Sequence, residues 1–510
     1  MSHLPLTKIL SSFTLAGIIV ESHSVPIEPP VYVPCGASQI VDHTFVSFAI
    51  QASSFTNITG SHSHPNHFSQ NLIETIANKT NSRPMIRVGG TNGDHSRFDE
   101  HQSEAITIPP SQVGKTIPSN LTIGPTFFEG FSNLPFAQWV FSAPFVAMNL
   151  TNCISMTKLA VQNIGSGVLN AIEIGNEPDL YVRDGDKPSS WSVQDYVTEW
   201  LTFTSAVCKA IGFESKKIFQ AAALATPYDP EWDIVNLFRD DINTGEIVKS
   251  YAEHQYEVTA GEGPGLQATL MNHSFIINGL QQYKHTVNYL QRYHSDIGFV
   301  LGEQGRFYPA GADGNTNLLG VFGSALWTID YSLYSMCINV TRINWQQGIA
   351  FGCAGWYPIP FNGLPPAVRA PYYGYVFVAD FIGTSSNVKV VDLDLGLDMV
   401  AVYAGYQDGQ LEKVAVINFQ VYESENGNRT EKTVRFKVPE GVNSVEVKTL
   451  TGPGASSIDG AFTWGGMSWA YESGGMGIQA VNDTKIVDVK DCVASVAVGA
   501  TEAVLITLQR

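Results

Sequence analysis

Two glutamates in this chain each end a short apolar run, as a carboxylate at the tip of a buried strand would. Glu177 lies in the segment Ile-Glu-Ile-Gly-Asn-Glu-Pro that begins at Ile172, and Glu303 ends the run Ile-Gly-Phe-Val-Leu-Gly-Glu that begins at Ile297. Because Pro178 cannot donate a ladder hydrogen bond, the first strand must stop beside Glu177. One such glutamate is often only a hydrogen-bond acceptor or a loop residue. Two match the carboxylate pair that cleaves glycosidic bonds, one as acid and base and one as nucleophile.

Short apolar runs alternate with helical patterns from residue 41 to residue 382, as repeating β-α units require. The runs number eight, which is what a closed (β/α)8 barrel needs, and catalytic side chains lie at the C-terminal strand ends of such barrels. A helix is expected over residues 193–211, with Ser192 as its N-cap, and another over residues 318–340. The candidate strands cover residues 44–50, 85–88, part of 137–148, 171–175, 218–223, 250–255, 298–302 and 349–356.

The pattern changes beyond about residue 384, where short β-rich stretches are separated by turn signals such as Asp408-Gly409. This predicts an all-β sandwich domain over residues 383–510, after a barrel over residues 41–382. At the other end, Lys8 precedes an apolar stretch that is too short to span a bilayer. Residues 1–24 are therefore expected to be a secretory signal peptide, with a buried N-terminal helix as the alternative.

Composition excludes some functions and agrees with a secreted protein. The formal charge of −18 and the pI near 5.0 argue against a nucleic-acid partner and against an extended groove for a polyanion. A single anionic sugar can still be held by local dipoles and hydroxyls. The six cysteines show no Cys-x-x-Cys spacing, so disulfides are expected rather than a zinc or redox site. N-glycosylation sequons occur at Asn57, Asn78, Asn120, Asn149, Asn272, Asn339, Asn428 and Asn482.

Several motifs resemble those of a known enzyme family. The tripeptide Asn176-Glu177-Pro178 is similar to the acid/base motif of clan A glycoside hydrolases, and Gly302-Glu303 is similar to their nucleophile motif. The ordered set of motifs resembles glycoside hydrolase family 79, which contains heparanases and β-glucuronidases. The resemblance extends from about residue 41 to residue 375, and the C-terminal region fits the family's β-domain in character only. The further segments are Arg87-Val88-Gly89-Gly90-Thr91, His254-Gln255-Tyr256 and Gly355-Trp356-Tyr357.

The resemblance implies roles for three residues near the two glutamates. Asn176 would bond the 2-hydroxyl of the sugar, a contact that strengthens in the transition state. Tyr256 would orient the nucleophile through its hydroxyl, and Arg87 would keep the nucleophile ionised by its charge. The alternatives are a loop-capping role for Asn176 and a core-packing role for Tyr256, and for Arg87 a structural ion pair explains the residue equally well.

The same resemblance implies a binding site for a sugar carboxylate. Tyr308, Tyr357 and the backbone of Gly355 and Trp356 would hold it, although aromatic packing also explains these residues. Residues 47–51, Ser-Phe-Ala-Ile-Gln, depart from a glutamate-containing motif that many relatives carry there. A histidine-rich stretch, His62, His64 and His67, invites a metal site, but no settled geometry supports one, and no metal or cofactor is predicted.

In this family the segment after the signal also joins the β-domain. Residues 25–40 would do so here and would bring Cys35 near Cys492. The prediction is a secreted, retaining exo-β-glucuronidase that acts on carbohydrate bearing glucuronic acid, with N-glycans and with no membrane contact after signal removal. The alternatives are a clan A glycosidase for neutral sugars, an endo-acting heparanase-like enzyme, and a non-catalytic glycan-binding protein.

Overall fold

The computed structural model describes residues 27–115, 117–213, 217–225, 229–256, 265–305, 320–349, 351–360, 365–458 and 460–510. Its larger part is a closed barrel of eight parallel strands in sequential order, each paired with its neighbours in the chain and the last with the first. The (β/α)8 fold expected from the sequence is therefore confirmed. The strands are β1 (Val46–Gln51), β2 (Met85–Gly89), β3 (Gln138–Ala143), β4 (Leu169–Ile174), β5 (Phe219–Leu224), β6 (Val248–Tyr256), β7 (Gly298–Gly305) and β8 (Arg342–Gln346).

Helices surround the barrel. Most bury an apolar face against their neighbours, whereas the helices Phe322–Cys337 and Ala370–Ile382 are buried on nearly every side. The longest, α5, begins with the expected N-cap, because the Ser192 hydroxyl accepts from the Asp195 backbone N–H and the Asp195 carboxylate accepts from the Ser192 backbone in return. It ends at Gly212 in the left-handed conformation. The helices are α1 (Phe55–Thr59), α2 (His67–Thr80), α3 (Gly90–Asp94), α4 (Leu150–Ile164), α5 (Val193–Ile211), α6 (Ile234–Arg239), α7 (His273–Gln281), α8 (Lys284–Tyr293), α9 (Phe322–Cys337) and α10 (Ala370–Ile382).

The eighth strand lies elsewhere than expected. Residues 349–356 are not a barrel strand, and Arg342–Gln346 pairs with both β7 and β1 instead. The reason is that Arg342, Asn344 and Gln346 alternate with Ile343 and Trp345 and are all buried. The polar set makes hydrogen bonds inside the barrel, so the strand lacks the continuous apolar run that marks a parallel strand buried on both faces.

The C-terminal region is all-β, as predicted, and has its own hydrophobic core. A large antiparallel sheet packs against a two-stranded sheet, which gives the two layers of a sandwich. Short connections such as the turn at Asp408-Gly409 join neighbouring strands. The strands are β9 (Val388–Asp392), β10 (Val400–Gln407), β11 (Gln410–Asn418), β12 (Glu431–Lys437), β13 (Ser444–Thr451), β14 (Thr463–Trp464), β15 (Met467–Trp469), β16 (Gly477–Gln479), β17 (Lys485–Asp488), β18 (Val493–Gly499) and β19 (Glu502–Gln509), of which β12 and β18 form the smaller sheet.

The first described residues run along this β-domain. Ile27 bridges to Phe436 of β12, and the Val33 backbone N–H donates to the carbonyl of Gly409 at 2.9 Å. Cys35 and Cys492 are both exposed free thiols, so the pairing suggested for them is not formed in the structure. The predicted signal peptide, residues 1–24, lies outside the described residues. Within the described part of the chain, no helix is both long and apolar enough to cross a membrane.

Candidate active site

Glu177 lies just beyond the C-terminal end of β4, at the start of a short 3-10 turn (Pro178–Leu180). Its backbone has φ of 51°, a left-handed conformation that costs free energy in a residue other than glycine. A hydrogen bond helps to stabilise this conformation, because the Glu177 backbone N–H donates to the Ala223 carbonyl at 2.9 Å. The side chain remains 18% exposed, so its carboxylate lies partly open at the barrel mouth.

Glu303 is the sixth residue of β7, and its side chain is more enclosed, at 8% exposure. Three neighbours contact its carboxylate: Arg87 donates to Oε1, the Tyr256 hydroxyl donates to Oε2, and the Gln346 amide donates to Oε2 at 3.2 Å. Burial alone would raise the pKa of Glu303, but the charges of Arg87 and His254 and the hydrogen bond from Tyr256 hold that pKa below its ordinary value. Glu303 is thus kept as a carboxylate.

The two carboxylates face each other across the mouth. A carboxylate oxygen of Glu177, a carboxylate oxygen of Glu303 and a ring nitrogen of His254 all lie within 4.8 Å of one another. Retaining glycosidases hold their two carboxyl groups about 5–5.5 Å apart, whereas inverting enzymes need about 6.5–9.5 Å to fit a water. The two carboxylate groups therefore lie close together at the barrel mouth.

Arg87 joins the nucleophile candidate to the residues around it. Its guanidinium contacts Glu173 and Glu303, and its Nη2 donates to the Asn176 side-chain oxygen at 2.7 Å. Because Asn176 accepts from Arg87, its amide nitrogen is turned away toward Thr91, 3.3 Å from the hydroxyl. An amide nitrogen has two N–H groups, so Asn176 retains donor capacity for a sugar hydroxyl.

His254 contacts the other carboxylate. It is fully buried on β6, and its Nδ1 lies 2.9 Å from Glu177 Oε1. Burial would lower the pKa of His254, but the charge of Glu303 and the contact with Glu177 raise that pKa above its ordinary value. His254 is therefore placed to hold and orient the carboxyl group of Glu177.

Two glycines of the Arg-Val-Gly-Gly-Thr motif allow the strands to approach so closely. A Cβ at Gly89 would lie 2.2 Å from the Ser142 Cβ on the next strand. Gly90 has φ of +75°, and a Cβ there would lie 3.3 Å from Glu303 Oε1. Side chains at these positions would push β2 away from the carboxylate centre, since no void is available to take them.

The sequence patterns predict no role for three residues that the structure brings into the site. Glu173 is buried and binds both Arg87 and the Gln220 amide, His254 contacts Glu177, and Gln346 contacts Glu303. For His254 a signal was available, because it lies two residues before Tyr256 and alternate strand residues share a face. No such strand alternation points to Gln346, because the sequence pattern predicts the eighth strand at residues 349–356, beyond this residue.

The residues expected to hold a sugar carboxylate do not gather in the same way. Tyr308 lies outside the described residues. The Gly355 backbone N–H donates to the Gln347 side chain at 2.8 Å, and the buried Trp356 indole donates to Ser69 at 3.0 Å. The Tyr357 hydroxyl donates to the Phe351 carbonyl at 2.6 Å. The Gly355 N–H and the Tyr357 hydroxyl thus have partners within the protein, and a role for this segment in binding a sugar carboxylate stays a prediction.

Glu177, His254 and Glu303 are close enough to share one cation. However, the positive charge of Arg87 already contacts Glu303, and each oxygen of that carboxylate accepts a hydrogen bond. The donor set therefore suits a hydrogen-bonded carboxylate pair better than a metal centre. In the histidine-rich stretch, His64 contacts Ser63 and His67 contacts Gln70, so these rings do not converge.

Comparisons with known proteins agree with this geometry. The C-terminal β domain of glycosyl hydrolase family 79 matches residues 402–505. A β-glucuronidase from Aspergillus niger is 30% identical over 507 residues, covering 92% of this chain and 93% of that protein. A β-glucuronidase from Neurospora crassa is 27% identical and covers 94% of both chains.

A solved structure extends the comparison to the fold. The 4-O-α-L-rhamnosyl-β-D-glucuronidase of Fusarium oxysporum superposes with a TM-score of 0.80 at 22% identity, covering 95% of this chain and 100% of that one. A family 51 arabinofuranosidase from Xanthomonas axonopodis shares the fold more distantly, with a TM-score of 0.60 at 15% identity. Since a relative that is 30% identical matches nearly the whole chain, the protein belongs to glycoside hydrolase family 79 and is a glycoside hydrolase.

Proposed function

We propose that this glycoside hydrolase is a retaining exo-β-glucuronidase, with Glu303 as nucleophile and Glu177 as acid and base. The observation that carries the mechanism is the distance of no more than 4.8 Å between their carboxylate oxygens. The observation that carries the substrate is the match over more than nine-tenths of the chain to two proteins named β-glucuronidase.

The steps follow from the environment of each carboxylate. Glu303, kept ionised beside Arg87, attacks the anomeric carbon while protonated Glu177 donates its proton to the departing oxygen. This gives a glycosyl-enzyme ester and releases the aglycone. Glu177, now a carboxylate, takes a proton from water, which attacks the anomeric carbon and frees Glu303. His254 orients the Glu177 carboxylate through its Nδ1 in both steps.

Substrate identity is tested by screening aryl β-glycosides of glucuronic acid, glucose, galactose and xylose with the purified protein. We expect the glucuronide to be hydrolysed with the highest kcat/KM. Preference for a neutral sugar would overturn the glucuronidase assignment in favour of another clan A glycosidase. Cleavage only of internal bonds in a polymeric substrate would favour an endo-acting enzyme of the heparanase kind. Saturable binding without turnover would indicate a glycan-binding protein.

The roles of the two glutamates are tested with Glu177→Ala. The variant should lose at least about 100-fold in kcat/KM on a glucuronide with a poor leaving group and much less on one with a good leaving group, whose departure needs little protonation. Added azide should restore turnover of the good substrate and give the β-glycosyl azide, because a small anion can attack the glycosyl-enzyme without a base. A glycosyl azide of inverted configuration would contradict the retaining mechanism.

The proposal extends to location. Residues 1–24 carry the pattern of a secretory signal, and eight sequons are present in the sequence. Expression in the secretory route of a eukaryotic host should deliver the protein to the medium, with an N-terminus near residue 25 and a mass that falls on enzymatic removal of N-glycans. Retention inside the cell with Met1 intact would contradict it.

A further inference from the structure

The carboxylate centre carries a net negative charge among the described groups. Glu173 and Glu303 are both paired with the single cation Arg87. The other group that can carry a positive charge, His254, contacts the carboxylate of Glu177. A glucuronate would bring a further negative charge into this site, where low dielectric strengthens repulsion between like charges. A second positive charge nearby would offset this repulsion and strengthen the binding of such a substrate.

Arg369 is a buried cation at the same end of the barrel. It is the N-cap residue of α10, it is 8% exposed, and its backbone N–H donates to the Gly355 carbonyl. Its Nη1 donates to the Gly352 carbonyl at 2.5 Å and to the Tyr357 hydroxyl at 2.9 Å, and its guanidinium lies 4.8 Å from the Tyr357 ring centre.

All the contacts that the described residues make with this guanidinium are neutral. None of the ion pairs in the described part of the chain includes Arg369, whereas Arg87, Arg183, Arg429 and Arg510 each pair with a carboxylate. A buried charge without an opposite charge is costly, so such groups are usually paired. A ligand that brings a carboxylate would remove this cost.

The loop that Arg369 supports lies beside the nucleophile. The Phe351 ring is stacked with the Tyr256 ring at a centroid distance of 6.5 Å, and the Tyr256 hydroxyl contacts Glu303. Two residues after Glu303, a Cβ at Gly305 would lie 2.7 Å from the Cys353 sulfur. The segment from Phe351 to Cys353 thus separates Arg369 from the carboxylate centre.

We infer that Arg369 is a specificity-determining residue, whose charge, acting across this loop, offsets the negative charge of the sugar carboxylate. The inference rests on the proposed glucuronidase function and names the cation that this function requires. It differs from carboxylate recognition by tyrosine hydroxyls, because the Tyr357 hydroxyl already donates to Phe351 and accepts from Arg369. Arg369 acts through charge and loop position, and takes no part in the chemical steps.

The test compares an aryl β-glucuronide with its methyl ester, which has the same shape and leaving group but no charge. Arg369→Gln should lower kcat/KM for the glucuronide by about 10- to 100-fold, the range for losing an interaction with a charged group. It should lower kcat/KM for the ester by less than about threefold. Arg369→Lys keeps the charge and should retain most of the preference for the acid.

Three matched variants separate charge from structure. Tyr357→Phe removes the hydroxyl but keeps the cation. The ratio of kcat/KM for the glucuronide to kcat/KM for its methyl ester should therefore stay that of wild type. Gly320→Ala would place a Cβ 1.6 Å from Arg369 Nη2, so it should displace the guanidinium and reduce the ratio without removing charge. Arg342→Gln removes a buried cation at the far end of β8, and it should leave the ratio unchanged.

Equal losses on acid and ester in Arg369→Gln, or a lysine variant as defective as the glutamine variant, would overturn the inference and leave Arg369 as a structural residue. If Arg369→Gln does not fold, Gly320→Ala decides: an unchanged ratio contradicts the inference. The outcomes also separate the two proposals. A wild-type protein that prefers neutral glycosides contradicts the glucuronidase function itself. A wild-type preference for the acid that survives in Arg369→Gln contradicts only the role of Arg369.

Discussion

A buried histidine contacts a carboxylate at two places in this molecule, and the two pairs are enclosed to different extents. At the barrel mouth, His254 Nδ1 lies 2.9 Å from one oxygen of Glu177. Where the barrel meets the β-domain, His273 Nδ1 lies 3.1 and 2.9 Å from the two oxygens of Asp330. The residue types are alike, so the difference lies in what surrounds them.

The pair between the domains is closed on every side. Asp330 is fully buried on α9 and accepts a further hydrogen bond from the Tyr403 hydroxyl of β10 at 2.6 Å. The other ring nitrogen of His273 lies 3.8 Å from Asp392, at the end of β9. Helices of the barrel and strands of the β-domain are thereby joined by one charged cluster, in which described residues contact both oxygens of Asp330.

The pair at the mouth is left open. Glu177 is partly exposed, His254 contacts only its Oε1, and His254 Nε2 has no hydrogen-bond partner among the described residues. Buried polar groups are normally satisfied, and exceptions concentrate at functional sites. The comparison indicates that a closed pair stabilises the fold, whereas an open pair keeps a carboxylate oxygen available for proton transfer.

The largest effect on activity with the least effect on stability should come from Glu303→Gln at the barrel mouth. Loss of the nucleophile should reduce kcat by at least about 10⁴-fold, because no other group within reach can form the covalent intermediate. The melting temperature should change little, since Arg87 keeps Glu173 as its partner. Steady-state kinetics and thermal unfolding on the same preparation check this. Residual activity above about 1% of wild type would argue against the role of Glu303.

A substitution in the closed pair should lower stability and leave activity unchanged. Asp330→Asn removes the charge that faces His273 and should lower the free energy of unfolding by about 3–5 kcal/mol, the range for breaking a buried ion pair. At a temperature well below the melting point, kcat/KM should remain that of wild type. Denaturant unfolding followed by fluorescence measures the change. A loss of activity without a loss of stability would show that the two regions are coupled.

The closed pair should also make stability depend on pH. Burial would lower the pKa of His273, but Asp330 and Asp392 raise it to about 9. A pKa raised in the folded state adds stability that is complete below the unfolded value of about 6.5 and is lost as pH rises toward 9. The stability difference between wild type and His273→Gln should therefore shrink by about 3 kcal/mol across this window. A difference that is constant from pH 6 to pH 9 would contradict a charged His273.

Much of the barrel could be predicted from sequence because seven of its strands overlap short, largely apolar stretches that alternate with helical patterns. The eighth could not, because Arg342, Asn344 and Gln346 give it the pattern of an exposed strand although all three are buried. Their hydrogen bonds to groups on other strands make this burial possible, and those partners are known only once the barrel has closed.

The residues of the candidate site could likewise be predicted from the sequence only in part. The tripeptide ending at Pro178 and the end of β7 marked both glutamates, and the resemblance supplied Arg87 and Tyr256, which the structure brings to Glu303. Arg369, by contrast, carried no local signal. It is 66 residues from Glu303 in the sequence, and only the fold shows that no carboxylate of the described residues forms an ion pair with it. The cluster of His273 and Asp330 was missed for the same reason.

The smallest effect expected is on the pH profile of His254→Gln. In wild type, rate is lost at low pH as Glu303 is protonated. Removing His254 should move this acid limb to higher pH, because the charge of His254 helps to keep the pKa of Glu303 low.

The acid limb of the kcat/KM profile for an aryl glucuronide should therefore move to higher pH by about half a pH unit or more, with a loss of about 10-fold at the optimum from poorer orientation of Glu177. His273→Gln provides the matched control, since it removes the histidine of the closed pair and should leave the acid limb in place. A His254→Gln profile that falls in height but keeps its acid limb in place would mean that His254 only positions Glu177. In that case the histidine of the open pair would act through its contact alone, and its charge would have no effect on Glu303.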